Sequence, residues 1–152
     1  MARPLSQPFA AIRPAAGRAQ EVAARPYDVL TAAEARAQAQ DRPWSFLHVS
    51  RAEIDLAAGI DAHAPAVYEQ AGRAFAAFQD AGVLVHDGAP SLYVYRMTAG
   101  DHVQTGLAAA AAIAAYNRDR IRRHEHTRPD KELDRTRQIA AVGAHTGPVL
   151  VA

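Results

Sequence analysis

Residues 64–82 constrain the fold of this chain more than any other stretch. Pro65 suits the first turn of a helix, where its missing N–H costs nothing, and Gly82 suits the stop. Between them Val67, Ala71, Ala74, Phe75 and Phe78 recur at helical spacing and make one apolar stripe. The spacing predicts a helix from about Ala64 to Ala81 with one buried face. That face needs partners, and the chain has few large ones to offer. It is 49% hydrophobic, but much of that fraction is alanine and only 7% of residues are aromatic. The core must therefore be lean.

Other elements can be read in order. Phe9, Ala11 and Ile12 read as one short strand, ended by Pro14 and Gly17. Pro26 biases Arg25 toward extended geometry. Thr31-Ala-Ala-Glu34 has the spacing of a capping box and predicts a helix over 32–39, ended before Pro43. Trp44–Ser50 is aromatic and β-branched and reads as a strand, with 51–63 as loop. Val83-Leu84-Val85 begins a further strand, and Asp87-Gly88 signals a turn. Ser91–Met97 alternates, with Leu92, Val94 and Arg96 on one face and Tyr93, Tyr95 and Met97 on the other. Ala99-Gly100-Asp101 should turn it into a hairpin with 103–110. The alanine run 107–115 favours helix by propensity, whereas Thr105-Gly106 and the hairpin favour strand. The strand is expected to reach about Ala112, with a turn near Tyr116-Asn117. A helix from Arg128 to about Gly143 and a strand from Gly147 complete the reading.

These elements make an α/β or α+β fold, a mixed sheet with flanking helices. At 152 residues the chain has the length of one ordinary domain. A net charge of +1 supplies no global field for nucleic acid or a membrane surface. Absence of cysteine excludes disulfides and thiolate metal sites and fits a cytoplasmic location. No run of about 18 apolar residues argues for a membrane span. No apolar leader follows Met1.

Polar chemistry concentrates in residues 120–138. His124, Glu125 and His126 come first, Thr127 resembles a helix cap, and Pro129 and Asp130 open the helix. Three chemistries suit the segment. Arg128 and Lys131 in the first turn, with Arg135 a turn later, suit a phosphate beside free amides and the helix dipole. Glu125 or Glu132 suits proton removal from a hydroxyl, with His124 positioning or shuttling a proton. His124 and His126 would point the same way in an extended segment, and Asp130 or Glu132 would add an oxygen ligand. His-x-His without further spaced ligands is a weak metal signal, however, and no metal residue is assigned.

The plain alternative is a solvated, salt-bridged helix, each favourable pair worth roughly 0.2–0.5 kcal/mol. Leu133, Ala140 and Ala144 share one side of it. Elsewhere, His48 reads as a packed histidine within a strand. Tyr27-Asp28 is either a turn and cap or the lining of a pocket, and Arg96 and Gln104 are either a polar pocket wall or an exposed sheet face. No Walker or Rossmann glycine loop and no Gly-x-Ser-x-Gly elbow is present.

In order along nearly the whole chain, a set of segments resembles the "domain of unknown function 1015" family of bacteria and archaea. They are Pro8–Pro14, Arg25-Pro26-Tyr27-Asp28-Val29, Ser45–Val49, Leu92–Arg96 with Gln104-Thr105-Gly106, His124–Arg135, and Ala144–Val149. Arg25 replaces a proline of the family's signature. The resemblance implies that the chain is the N-terminal portion of a longer member. Longer members carry a further Asp-Gly-His-His-Arg segment, similar to the ParB/sulfiredoxin-like fold, whose members include nucleotide hydrolases and free-serine kinases. It implies a cytoplasmic, phosphate-handling small-molecule (serine-like) kinase using ATP or ADP with Mg. In that reading Arg128, Lys131, Arg135 and Thr127 hold phosphate, Glu125, Glu132 and His124 handle protons, and Tyr27, Asp28, Arg96 and Gln104 line the site. The alternative is a non-catalytic ligand-binding or protein-interaction module. A ParB-like nucleic-acid-binding domain is the weakest reading, since carboxylates interrupt the basic residues.

Overall fold

The computed structural model describes residues 4–122 and 126–149, and they divide into two compact units. One is drawn from Met1–Ile12, His86–His126 and Pro148–Ala152, the other from Arg13–Val85 and Thr127–Gly147. The expected mixture of helix and strand is present. Its strands form small two-stranded antiparallel pairs among the described residues, in place of one mixed sheet.

The helical unit holds most of the core. Its first helix is α1 (Ala19–Val22), followed by a 3₁₀ turn at Tyr27–Val29 and α2 (Ala32–Ala39). The capping box forms as the spacing predicts. Thr31 Oγ1 accepts from the Glu34 amide at 3.2 Å, and Glu34 Oε2 accepts from the Thr31 amide at 2.8 Å. An eight-residue helix is too short to hold itself in water, so its cap and its buried Ala35 and Ala39 must carry it. Thr31→Ala should lower stability by about 1 kcal/mol in urea titration, and a change within error would contradict the cap's role.

Residues 44–50 depart from the strand expectation. They form a turn and then α3 (Leu47–Ser50), followed by a second 3₁₀ turn at Ala52–Asp55 within the expected loop. Local hydrogen bonds take the backbone instead of a neighbouring strand: His48 N–H to Ser45, Val49 and Ser50 N–H to Phe46, and Arg51 N–H to Leu47. Ser45, Leu47 and Val49 are buried at alternate positions, the pattern that suggested a strand. β-propensity measures fit to a half-buried pleated surface, and helices on either side leave no strand to pair with.

Short elements leave many carbonyls without helix or sheet partners, and arginines satisfy them. Arg36 donates to the carbonyls of Ile54 and Leu56, and to that of Glu53 alongside the Leu56 amide. Arg42 donates to those of Gln20 and Ala23. Arg51 donates to those of Tyr27, at 2.8 Å, and Leu30, and to the Glu53 carboxylate at 2.6 Å. The lean apolar core is thus supplemented by guanidinium clamps.

α4 (Pro65–Asp80) is the helix the sequence announces, with Val67, Ala71, Phe75 and Phe78 buried. Trp44 meets Phe78 edge to face at 5.3 Å between centroids. Gly82, at φ +65°, makes the left-handed stop. Its amide donates to Gln79 and the Val83 amide to Phe78, the paired bonds of a Schellman ending. α6 (Pro129–Val142) packs against α4 and ends on left-handed Gly143. Thr127 does not cap it. Pro129 fills the first helical position, so Arg128 is the N-cap, and no side chain caps the helix.

In the other unit the hairpin forms as expected, β4 (Tyr93–Ala99) with β5 (His102–Ala108). Gly100 has φ +58° at the first turn position, where a two-residue hairpin turn favours glycine. β1 (Ser6–Gln7) pairs with β6 (Ala110–Ala111), and α5 (Ile113–Tyr116) follows. The alanine run therefore divides, strand to Ala111 and helix from Ile113. Phe9 bridges to Ser91 and packs on Tyr93 at 5.0 Å. The remaining pair, β2 (Ile12–Pro14) with β3 (Leu84–His86), lies mostly within the residues of the helical unit. Residues 147–149 are not strand, and the rest of the expected last strand lies outside the described residues.

Candidate functional site

α6 buries a polar stripe. Asp134, Gln138 and Val142, at i, i+4 and i+8, are its buried residues, while Leu133 is 51% exposed. Apolar spacing points to the Leu133 side instead. A count of hydrophobic residues misses a face that is buried through hydrogen bonds. Gln138 Nε2 donates to the Val49 carbonyl at 2.9 Å.

Asp134 is 8% exposed and is the hub of a constellation. Its Oδ1 accepts from the Tyr68 hydroxyl at 2.8 Å and lies 3.1 Å from His63 Nδ1. Its Oδ2 accepts from Arg135 Nη2 at 2.6 Å and Nε at 3.0 Å. The Arg135 guanidinium lies over the Tyr27 ring, 4.4 Å from its centroid. Tyr27 is held in turn by the Arg51 clamp on its carbonyl.

α4 places the other two members. Its N-cap is Ala64, so His63 stands one position before the cap and Tyr68 at the fourth helical position. Those positions meet across the start of a helix, as in a hydrophobic staple. Asp61 fixes the entry: its Oδ1 accepts from the His63 amide at 2.9 Å, and its carbonyl from that of Ala64.

Burial raises the Asp134 carboxyl, but the bonds from Arg135, Tyr68 and His63 outweigh it and hold the group below the usual carboxylate range. Burial, and then the neighbouring Asp134 carboxylate, push the Tyr68 hydroxyl up, against an opposing contact from Arg137. Ionised Asp134 can only accept, so the His63 bond places a proton on Nδ1. In the neutral ring Nε2 is then an acceptor. Among the described residues nothing bonds Nε2, and the His63 side chain is 56% exposed. His48 differs: Asp55 flanks its Nδ1 at 2.9 Å and the Arg42 carbonyl its Nε2 at 3.1 Å.

The residues expected from sequence do not all come together. Tyr27 and Arg135 are brought together, and Lys131 lies exposed one turn before Asp134 on the same helix face. Arg128, Thr127 and Glu132 stand at the helix start. Arg128 pairs with Asp130 at 2.7 Å, and Thr127 Oγ1 lies 3.4 Å from Glu132 Oε2. The Arg128 bond, with help from the Asp130 and Lys131 amides, draws the Asp130 carboxyl below its usual range, so a carboxylate already occupies the anion position there. Asp28 is exposed. Arg96 and Gln104 lie in the other unit on opposite faces of the hairpin, opposite Thr105 and Met97 respectively, and do not form one wall. His124 and Glu125 lie outside the described residues.

His63 and Tyr68 are absent from the sequence reading, as is the central role of Asp134. The signal available was Asp61-Ala-His63-Ala-Pro65, an Asx turn feeding a proline-started helix. Among the described residues no group of three or more His, Asp or Glu is arranged to hold a metal, and no helix is long and apolar enough to cross a membrane. No curated protein and no solved structure matches the chain. A family model does match, over residues 7–152, nearly the whole length. The chain belongs to the family described as "protein of unknown function (DUF1015)".

Proposed function

We propose that the chain handles a phosphate-bearing small molecule, and that its reaction is nucleotide-dependent phosphoryl transfer to a serine-like hydroxyl, with ATP or ADP and Mg. The observation that supports this reading is the N-terminal half of α6. There Lys131 stands exposed one helical turn before Asp134, and Arg135 one turn after Lys131 bonds the Asp134 carboxylate. Positioning and charge stabilisation carry phosphoryl transfer, and a lysine on a rigid helix supplies both. Asp130, Glu132 and Asp134 interrupt the basic residues, which weighs against a nucleic-acid ligand. A second reading, a non-catalytic ligand-binding module, draws support from the carboxylate pairing of Arg128 and Arg135, which leaves less charge for a transferring phosphate.

Melting temperature measured with ATP, ADP, phosphate and L-serine, with and without Mg, tests the proposal. A ligand at 100 times its Kd should stabilise the chain by about 2.7 kcal/mol. Lys131→Ala should cut the nucleotide shift while leaving the ligand-free melting temperature within error, since the residue is exposed. No shift with any nucleotide, or an equal shift in the variant, would remove the phosphate reading.

A further inference from the structure

We infer that His63 is a general base, its Nε2 accepting the proton of a substrate hydroxyl, with Asp134 and Tyr68 as its positioning residues. The geometry carries this. One ring nitrogen is pinned on a buried carboxylate, and the other is left to solvent among the described residues. Asp134 is fixed from the opposite side by two bonds from Arg135, and Tyr68 shares its Oδ1. The ring can therefore neither rotate freely nor change tautomer without losing a bond to an acceptor-only group. A histidine serving only as a latch between α4 and α6 would not need its outer nitrogen exposed. Tyr68 already makes the buried link between those helices, at 2.8 Å.

The substrate class follows from the surroundings. Lys131, one turn before Asp134 on the same face, suits an anionic group beside the reacting hydroxyl. The inference rests on the phosphoryl-transfer reading for its reaction. The acceptor O–H bond breaks and its proton passes to His63 Nε2. The oxygen bonds to the γ-phosphorus of a nucleoside triphosphate, and the bond to the departing nucleoside diphosphate breaks. His63 then takes the catalytic role that the sequence suggests for Glu125, Glu132 or His124.

The test measures ADP formation by the full chain from ATP and L-serine with Mg, alongside hydrolysis of p-nitrophenyl acetate. In the ester reaction water attacks the carbonyl, its proton passes to Nε2, and p-nitrophenolate leaves. His63→Gln should lower kcat by about 100-fold or more, the scale of general-base catalysis, with the nucleotide-induced melting shift retained. Added imidazole should restore His63→Ala. Asp134→Asn should change the pH profile, which a merely structural carboxylate would not do. Activity of His63→Gln within a few-fold of the parent overturns the inference. If ATP is not turned over at all, the phosphoryl-transfer reading fails and the ester decides. Hydrolysis that depends on His63 supports the base, whereas none, or equal rates in parent and variant, overturns it.

Discussion

Asp134→Ala is expected to lower the unfolding free energy by about 2–4 kcal/mol, because it removes the acceptor of a buried hydroxyl and frees a guanidinium from its partner. The Tyr68 hydroxyl loses its 2.8 Å acceptor in a buried site, while Arg135, one-third exposed, recovers water and limits the loss. The pH dependence has a definite sign. The folded carboxyl lies below its ordinary value of 3.8, so its contribution is full above that value and is lost as pH falls through the lower folded one. The difference between the parent and Asp134→Asn in urea titrations should therefore be constant near neutrality and shrink below about pH 4. A difference that persists unchanged in acid would mean the charge contributes nothing.

Gly72→Ala should destabilise the chain by about 1–2 kcal/mol, although alanine is the better helix former by about 1 kcal/mol. Gly72 sits inside α4, where α6 approaches closely. A Cβ there would stand 2.7 Å from the Ala141 carbonyl oxygen and 3.5 Å from its carbon. The atom it meets is backbone, so the helices must move apart, and the bonds of Asp134 to Tyr68 and His63 lengthen with them. Denaturant titration gives the sign at once. A stabilising Gly72→Ala would show that α6 can slide at little cost, and the Asp134 constellation would then lack a rigid frame.

Legibility divided by the kind of force involved. α4 was readable because its burial is apolar and its ends carry proline and glycine, signals that depend only on nearby residues. The capping box of α2 and the Gly100 turn are local in the same sense. Residues 44–50 misled because β-branched and aromatic side chains serve a packed helical turn as well, and pairing partners are settled by distant chain.

The site was half readable for a related reason. Lys131, Arg135 and Tyr27 stood out by type, but Asp134, which holds the Arg135 guanidinium that lies over Tyr27, did not. Asp134 looks like one more charge on a solvated helix until Tyr68 and His63, more than sixty positions earlier, close over it. A polar residue on a buried stripe leaves no hydropathic trace. The arginines likewise leave no local signal of their role, although Arg36, Arg42 and Arg51 each hold backbone carbonyls that no regular element satisfies.

Long-range proton–nitrogen correlation spectra of the His63 imidazole test the Asp134 constellation most directly. The bond to Asp134 predicts that Nδ1 keeps its proton and that, whenever the ring is neutral, Nε2 is the bare nitrogen, with a changed tautomer balance in Asp134→Asn. A ring protonated mainly on Nε2, or a spectrum indifferent to Asp134→Asn, would contradict the His63–Asp134 bond.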